Sequence, residues 1–209
     1  MKTIYVKYVA FFAILAFIFA AGMTGCGSSK PSRFYSLTSV TGVTGNKQRN
    51  SPDTKIAISI RTLQLPEYLL RQQMVKRMAS NELYIAEYDR WAEPLEINFS
   101  RVLIEDLSAE VPTNNISLFP SPDASLTNYQ LLLEVTEFER NASGLVTLSA
   151  RWSIKKGETV SFLMDKRSSF SEQVSGESYD AIAGAMSDLT AKLSAEIADE
   201  IRSRISAGK

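Results

Sequence analysis

Ile56, Ile58 and Ile60 alternate with Ala57, Ser59 and Arg61, a period of two that predicts a strand over 55–60 with one apolar face. The same period recurs in Tyr129–Arg140, Leu145–Lys155 and Thr159–Phe170. Turn-forming residues separate these segments at Asn141-Ala142-Ser143-Gly144 and Lys155-Lys156-Gly157-Glu158, which predicts a three-strand antiparallel meander. In its middle strand Val146, Leu148, Ala150, Trp152 and Ile154 face the core, and Thr147, Ser149, Arg151 and Ser153 face out. Met74–Met78 and Leu83–Trp91 predict a hairpin around residues 79–82, and Phe34–Leu37 a further short strand.

Two stretches change period. Pro94 begins a helix to Glu110, with Leu95, Phe99, Val102, Leu103 and Leu107 at helical spacing and Pro112 ending it. Ser178 can cap a second helix, in which Ile182, Met186, Leu189 and Leu193 share one face. Ile197, Ile201 and Ile205 drift round that helix, so its end is expected to wrap the sheet edge or fray. Asp188–Lys192 and Glu200–Arg204 stand at i,i+4 in the favourable order. Leu65–Leu70 predicts a single helical turn with Pro66 near its start, where a missing N–H costs least. Loops are expected over 39–54 and 112–128, the second interrupted by the apolar Ile116-Ser117-Leu118-Phe119. Six or seven strands with two amphipathic helices predict an α+β fold, a two-layer α/β sandwich. Its sheet is mostly antiparallel, with the two main helices packed on one face.

The start of the chain follows another logic. Lys2 and Lys7 precede an apolar run from Tyr8 to Ala21, then Met23-Thr24-Gly25 and Cys26, the only cysteine. A basic start, a short apolar run and small residues before a cut describe a secretory signal peptide. The run is well short of the ~20 residues that span a bilayer as a helix. Thr-Gly-Cys at its end resembles a bacterial lipobox, with Met23 where Leu is commoner. This implies a thioether to diacylglycerol at Cys26 and an acyl chain such as palmitate on the new N-terminus. The expected organisation is a lipoprotein signal peptide over 1–25, a lipidated tether over 26–32 and a single periplasmic domain over 33–209. Gly27 and Ser28 follow the cysteine, and neither is the Asp that favours inner-membrane retention. Outer-membrane residence, facing the periplasm, is therefore expected.

Composition removes most chemistry. The chain has no histidine. A Ser-His-Asp triad, a Cys-His dyad and an ordinary zinc site are therefore excluded, since the one thiol would carry lipid. Neither a Gly-rich phosphate loop nor an EF-hand spacing is present. Paired carboxylates or a Ser–Lys dyad need no histidine, yet no spacing singles out such a pair. No catalytic residue, no metal ligand and no cofactor beyond the lipid at Cys26 is expected. Lys2 and Lys7 leave with the leader, so 21 basic residues remain beside 23 acidic ones, with no excess suited to nucleic acid.

Several stretches in order resemble the paraquat-inducible protein C family, the ABC-type transport auxiliary lipoproteins. They are Phe34-Tyr35-x-Leu37; Leu65-Pro66-Glu67-Tyr68-Leu69; Tyr88-Asp89-Arg90-Trp91-Ala92-Glu93-Pro94-Leu95; Val135-Thr136-Glu137-Phe138; and Gly144-x-Val146 with Trp152. Leu70-Arg71-Gln72-Gln73 departs from the Asp-Arg-Pro-Gln of many members. The resemblance implies a non-enzymatic subunit of a lipid transport system spanning the envelope. Its expected partners are a tunnel protein built from mammalian-cell-entry (MCE) domains and that system's inner-membrane permease. It leaves room for a homo-oligomer. A periplasmic lipid-binding carrier and an outer-membrane assembly factor are the competing functions. The carrier needs a hollow that the apolar residues, already used by two helices on a sheet, do not leave.

Within this framework Leu65, Pro66, Tyr68, Leu69 and Leu70 are the candidate partner-binding residues, because a Pro-led apolar turn exposes apolar surface unless something covers it. Packing of the same turn on its own sheet is the alternative. Trp91 and Trp152 are expected in the core. Asp89, Arg90 and Glu93 are expected to form a charge network at the strand-to-helix corner.

Overall fold

The computed structural model describes residues 30–40, 56–111, 113, 115–120, 128–157 and 162–207. The leader, Cys26, the loop residues 41–55 and the first residues of the last expected strand lie outside the described residues. Ser32–Lys209 forms one compact unit.

The apolar alternation of the meander becomes β6 (Tyr129–Asn141), β7 (Leu145–Lys156) and β8 (Phe162–Gln173), the spine of an eight-stranded sheet. All five residues assigned to the core face of β7 are buried, from Val146 at 0% exposure to Ala150 at 3%. On the opposite face Ser149 faces Ser169 at 2.9 Å and Thr147 faces Ser171 at 3.2 Å, and Arg151 is exposed. One face of the spine thus meets the helices and the other is polar, the pattern of a two-layer sandwich.

The earlier strands are β1 (Arg33–Tyr35), β2 (Ala57–Gln64), β3 (Gln73–Ala79), β4 (Glu82–Trp91) and β5 (Asn115–Leu118). β3 and β4 form the expected antiparallel hairpin. The other edge of β6 is shared: β2 runs parallel to residues 129–134, and β3 runs parallel to Arg140 and Asn141. Between them Leu65–Gln72 arches off β6, with a 3-10 turn at Glu67–Leu69. β5 adds in parallel to β2 and β1 in parallel to β4, which makes the sheet mixed, with its longest ladders antiparallel.

Two expectations about strands change. The apolar interruption expected within a loop is β5, because Ile116 and its neighbours find an open ladder edge on β2. β2 is not half-exposed: Ala57 and Ser59 are as buried as Ile58 and Ile60, since the strand lies inside the sheet between β5 and β6.

Helix α1 (Leu95–Glu110) starts after Pro94, and Leu95, Phe99, Val102, Leu103 and Leu107 are all fully buried. Phe99 meets Phe138 of β6 edge-on, with ring centroids 5.4 Å apart, a favoured aromatic geometry. Helix α2 (Tyr179–Ala207) packs on α1 and on β6, β7 and β8. Of the two courses expected for its far end, wrapping or fraying, fraying does not occur. Ile197 and Ile201 are 0% exposed because α1 lies alongside, and Arg202 bonds the Glu110 carbonyl and carboxylate at the end of α1. The expected i,i+4 pairs also rearrange. Lys192 reaches Glu172 on β8 instead of Asp188, Lys166 of β8 reaches Glu196, and no ion pair joins Glu200 to Arg204 among the described residues.

Candidate functional site

Pro66 holds φ at −54° with an extended ψ, which starts the 3-10 turn: Leu69 N–H donates to the Pro66 carbonyl and Leu70 N–H to that of Glu67. The turn splits the candidate contact residues. Leu65 and Leu69 are buried in the core, so they offer no surface to a partner. Tyr68 is half-buried, Pro66 is partly exposed, and Leu70 is 48% exposed. The apolar surface of the turn therefore reduces to Pro66, Leu70 and one side of Tyr68.

Tyr68 is pinned by a carboxylate that sequence reasoning overlooked. Between its two parallel neighbours the edge of β6 lacks a strand partner, and Glu139 fills the gap. Its Oε2 accepts the Phe138 N–H at 3.0 Å and the Tyr68 hydroxyl at 2.9 Å. Its Oε1 accepts from Arg77 Nε at 2.8 Å, and the side chain is 1% exposed. A buried carboxylate is tolerated only when paired and hydrogen-bonded in this way. Burial, followed by the bond to Glu139, pushes the Tyr68 hydroxyl up to about 12. The sequence signal was an acid at a position the strand pattern buries.

The expected network of Asp89, Arg90 and Glu93 does not form. Asp89 instead holds β1, accepting from the Tyr35 hydroxyl at 2.8 Å and pairing with Arg33 at 2.7 Å. Glu93 pairs with Arg101 across the first turns of α1, and Arg90 reaches the Glu87 carbonyl. The strand-to-helix corner is closed by the Trp91 ring, 4% exposed, and by Ala92 N–H donating to the Tyr35 carbonyl. Trp152 is also in the core, its indole N–H donating to Ser168 at 2.9 Å.

A second charged cluster sits where β8 leads into α2. Glu177 bridges Lys76 at 2.6 Å and Arg140 at 3.1 Å, two cations that are each less than a tenth exposed. The hydrogen bond from Lys76, then its charge, holds the Glu177 carboxyl below the ordinary glutamate value.

Two adjoining clefts open beside the turn. One, of 510 Å³, has Pro66, Leu70, Glu67, Glu96 and Glu134 in its walls. The next, of 450 Å³, is walled by Leu63, Ile97, Leu118 and Phe119. Gln64 and Glu96 belong to both, so the two form one groove past the start of α1. Ile97, Leu118 and Phe119 are each more than two-fifths exposed, and the Arg61 guanidinium lies 4.0 Å over the Phe119 ring. The sequence had marked Leu118 and Phe119 only as an apolar break in a loop. Among the described residues no group of three or more metal-ligating side chains is placed to hold a metal ion. No helix among them is long and apolar enough to cross a membrane.

Fold and groove together define a two-layer α+β domain whose candidate site is a surface for binding. The chain belongs to the family of ABC-type transport auxiliary lipoprotein components, whose model matches residues 35–198. It is 25% identical over 190 residues to the intermembrane transport lipoprotein PqiC of Escherichia coli K12, covering 90% of this chain and 96% of that one. The PqiC of Shigella flexneri matches to the same extent. The fold resembles that of protein XCC0632 from Xanthomonas campestris (TM-score 0.69, 14% identity, 85% of this chain and 100% of that one). A crystal structure of an uncharacterized protein matches with TM-score 0.67 at 20% identity, over 82% of this chain and 99% of its own. The family is one of transport auxiliary lipoproteins and not of enzymes.

Proposed function

We propose that this lipoprotein is the outer-membrane-side docking subunit of an MCE-type lipid transport system, anchored through acyl chains on Cys26. Its domain grips the periplasmic end of a tunnel protein whose other end meets an inner-membrane permease, and it performs no chemistry of its own. The observation that supports this best is a match along nearly the whole chain to a protein named for intermembrane transport. The absence of histidine from the entire chain agrees with a role in contact. Two or more acyl chains on Cys26 would give stable membrane attachment where a single chain does not.

The experiment is expression of the full chain in its host with an affinity tag, followed by separation of the two membranes and capture in mild detergent. The wild type is expected in outer-membrane fractions, bringing an MCE-domain protein with it, and Cys26→Ser is expected to accumulate as unprocessed precursor. Normal processing of Cys26→Ser with a soluble wild type would reject the anchor. Capture without any MCE-domain protein would reject the docking role.

A further inference from the structure

We propose that the groove running from Phe119 to Leu70 receives a basic, apolar segment of a partner protein, whose Lys or Arg side chains meet Glu67, Glu96 and Glu134. This rests on the docking role proposed above and names the chemistry of what docks.

The three carboxylates come from three different elements. Glu67 is on the 3-10 turn, Glu96 in the first turn of α1 and Glu134 on β6, and all three line one cleft. The positive end of a helix dipole accounts for Glu96 alone. No Lys or Arg lines that cleft, and none of the three acids forms an ion pair among the described residues. Cations stand around the rim: Arg61 lies over Phe119, Arg71 donates to the Tyr68 carbonyl at 3.0 Å, and Arg151, opposite Glu134 in the β6–β7 ladder, shares a second cleft with Glu134 and Arg167. Glu134 thus has a basic neighbour across the ladder, whereas Glu67 and Glu96 face a cleft with no cation in its walls, and an incoming cation relieves their repulsion.

The neighbouring cleft supplies the apolar half. Ile97, Leu118 and Phe119 surround a space of 450 Å³, large enough for apolar side chains. Pro66 and Leu70 add apolar surface to the cleft that holds the acids. The groove therefore joins an apolar cleft to one that mixes acids with apolar side chains, the complement of a segment that mixes Lys or Arg with Leu-like residues. Charge also favours protein over anionic lipid as the occupant. Anionic headgroups carry a net negative charge, which carboxylates repel.

The test uses the full chain in detergent and two fluorescent peptides, one alternating Leu and Lys, the other alternating Leu and Glu. Fluorescence anisotropy is expected to show saturable binding of the Leu/Lys peptide alone, weakening as salt shortens the range of charge attraction. Glu67→Gln/Glu96→Gln/Glu134→Gln is expected to weaken that binding at least about tenfold. Leu118→Ser/Phe119→Ser is expected to weaken it at unchanged salt dependence. Both variants should stay folded, with melting temperatures only modestly lowered, because none of the substituted side chains is fully buried. Equal binding of the two peptides, or undiminished binding by the triple variant, overturns the proposal. So does capture by phosphatidylethanolamine vesicles that the triple variant loses, which would assign the groove to lipid. An MCE-domain protein captured equally by wild type and triple variant overturns the groove while retaining the docking role. Acid-dependent peptide binding without any captured MCE-domain protein does the reverse.

Discussion

Asn98 clasps the backbone of Leu37 on both sides of its Cα: its Oδ1 accepts the Leu37 N–H at 2.6 Å, and its Nδ2 donates to the Leu37 carbonyl at 3.2 Å. Leu37 is 0% exposed and Asn98 1%, so the first structured residues of the domain are tied to helix α1 inside the core. Thr38 N–H then donates to Ser187 of α2, and the Ser39 hydroxyl to Asp106 of α1. The chain from Arg33 to Ser39 is thus held first by the β1–β4 ladder and then by both helices.

Asn98→Ala should strand the buried Leu37 N–H, at a cost of about 1–3 kcal/mol, while the Leu37 carbonyl keeps the Ser36 hydroxyl. Urea unfolding is expected to show a lowered midpoint with an unchanged slope. A midpoint within error of the wild type would show that the strap carries no stability.

Tyr68 should report on alkaline stability. Its folded value of about 12 lies above the ordinary 10.0, so the fold favours the protonated hydroxyl. That contribution is complete below pH 10 and fades as pH rises from 10 towards 12. Tyr68→Phe should cost about 1–2 kcal/mol at pH 7 by removing a bond to the Glu139 carboxylate. It should also flatten the melting-temperature profile above pH 10. Tyr179, raised to about 12 first by burial, keeps part of that slope in the variant. An identical alkaline profile in both proteins would exclude a coupled Tyr68.

Neighbouring leucines in the turn should behave oppositely. Leu69→Ala removes a side chain 3% exposed and should cost about 2–5 kcal/mol. Leu70→Ser, at a position 48% exposed, should change stability by less than about 0.5 kcal/mol. Thermal melting of the two single variants decides it. Equal losses would mean that Leu70 is covered.

Gly144 closes the β6–β7 hairpin at φ +88°, a region that side chains rarely adopt. An added Cβ would stand 2.5 Å from Gln173 Nε2 and 2.9 Å from the Val174 carbonyl, whose N–H bonds the Gly144 carbonyl. Gly144→Ala should therefore cost at least about 1 kcal/mol, read as a fall in melting temperature. A stabilised variant would contradict the crowding.

The amino-acid order by itself determined what repeats. Period two marked β2 and the meander, helical spacing marked α1 and the core face of α2, and turn residues marked the hairpins. These signals are local, because each element must bury one face whatever it packs against. The sequence pattern also placed Trp91 and Trp152 in the core. The partners across the fold were set by tertiary structure alone. Nothing near Asn98 announces a clasp on Leu37, 61 positions away, although a polar residue inside an apolar helical stripe was the available hint. Glu139 gave a similar hint within its strand, and its meaning depends on β2 and β3 sharing one edge of β6. β5 looked like loop because a strand of four residues has too few repeats to show its period. Leu65 and Leu69 could not be separated from Leu70 by composition, since the turn's rotation relative to the core decides which leucine is covered. The groove has the same origin: Glu67, Glu96 and Glu134 are unrelated in the chain, and only the packing of a turn, a helix and a strand brings their charges to one cleft.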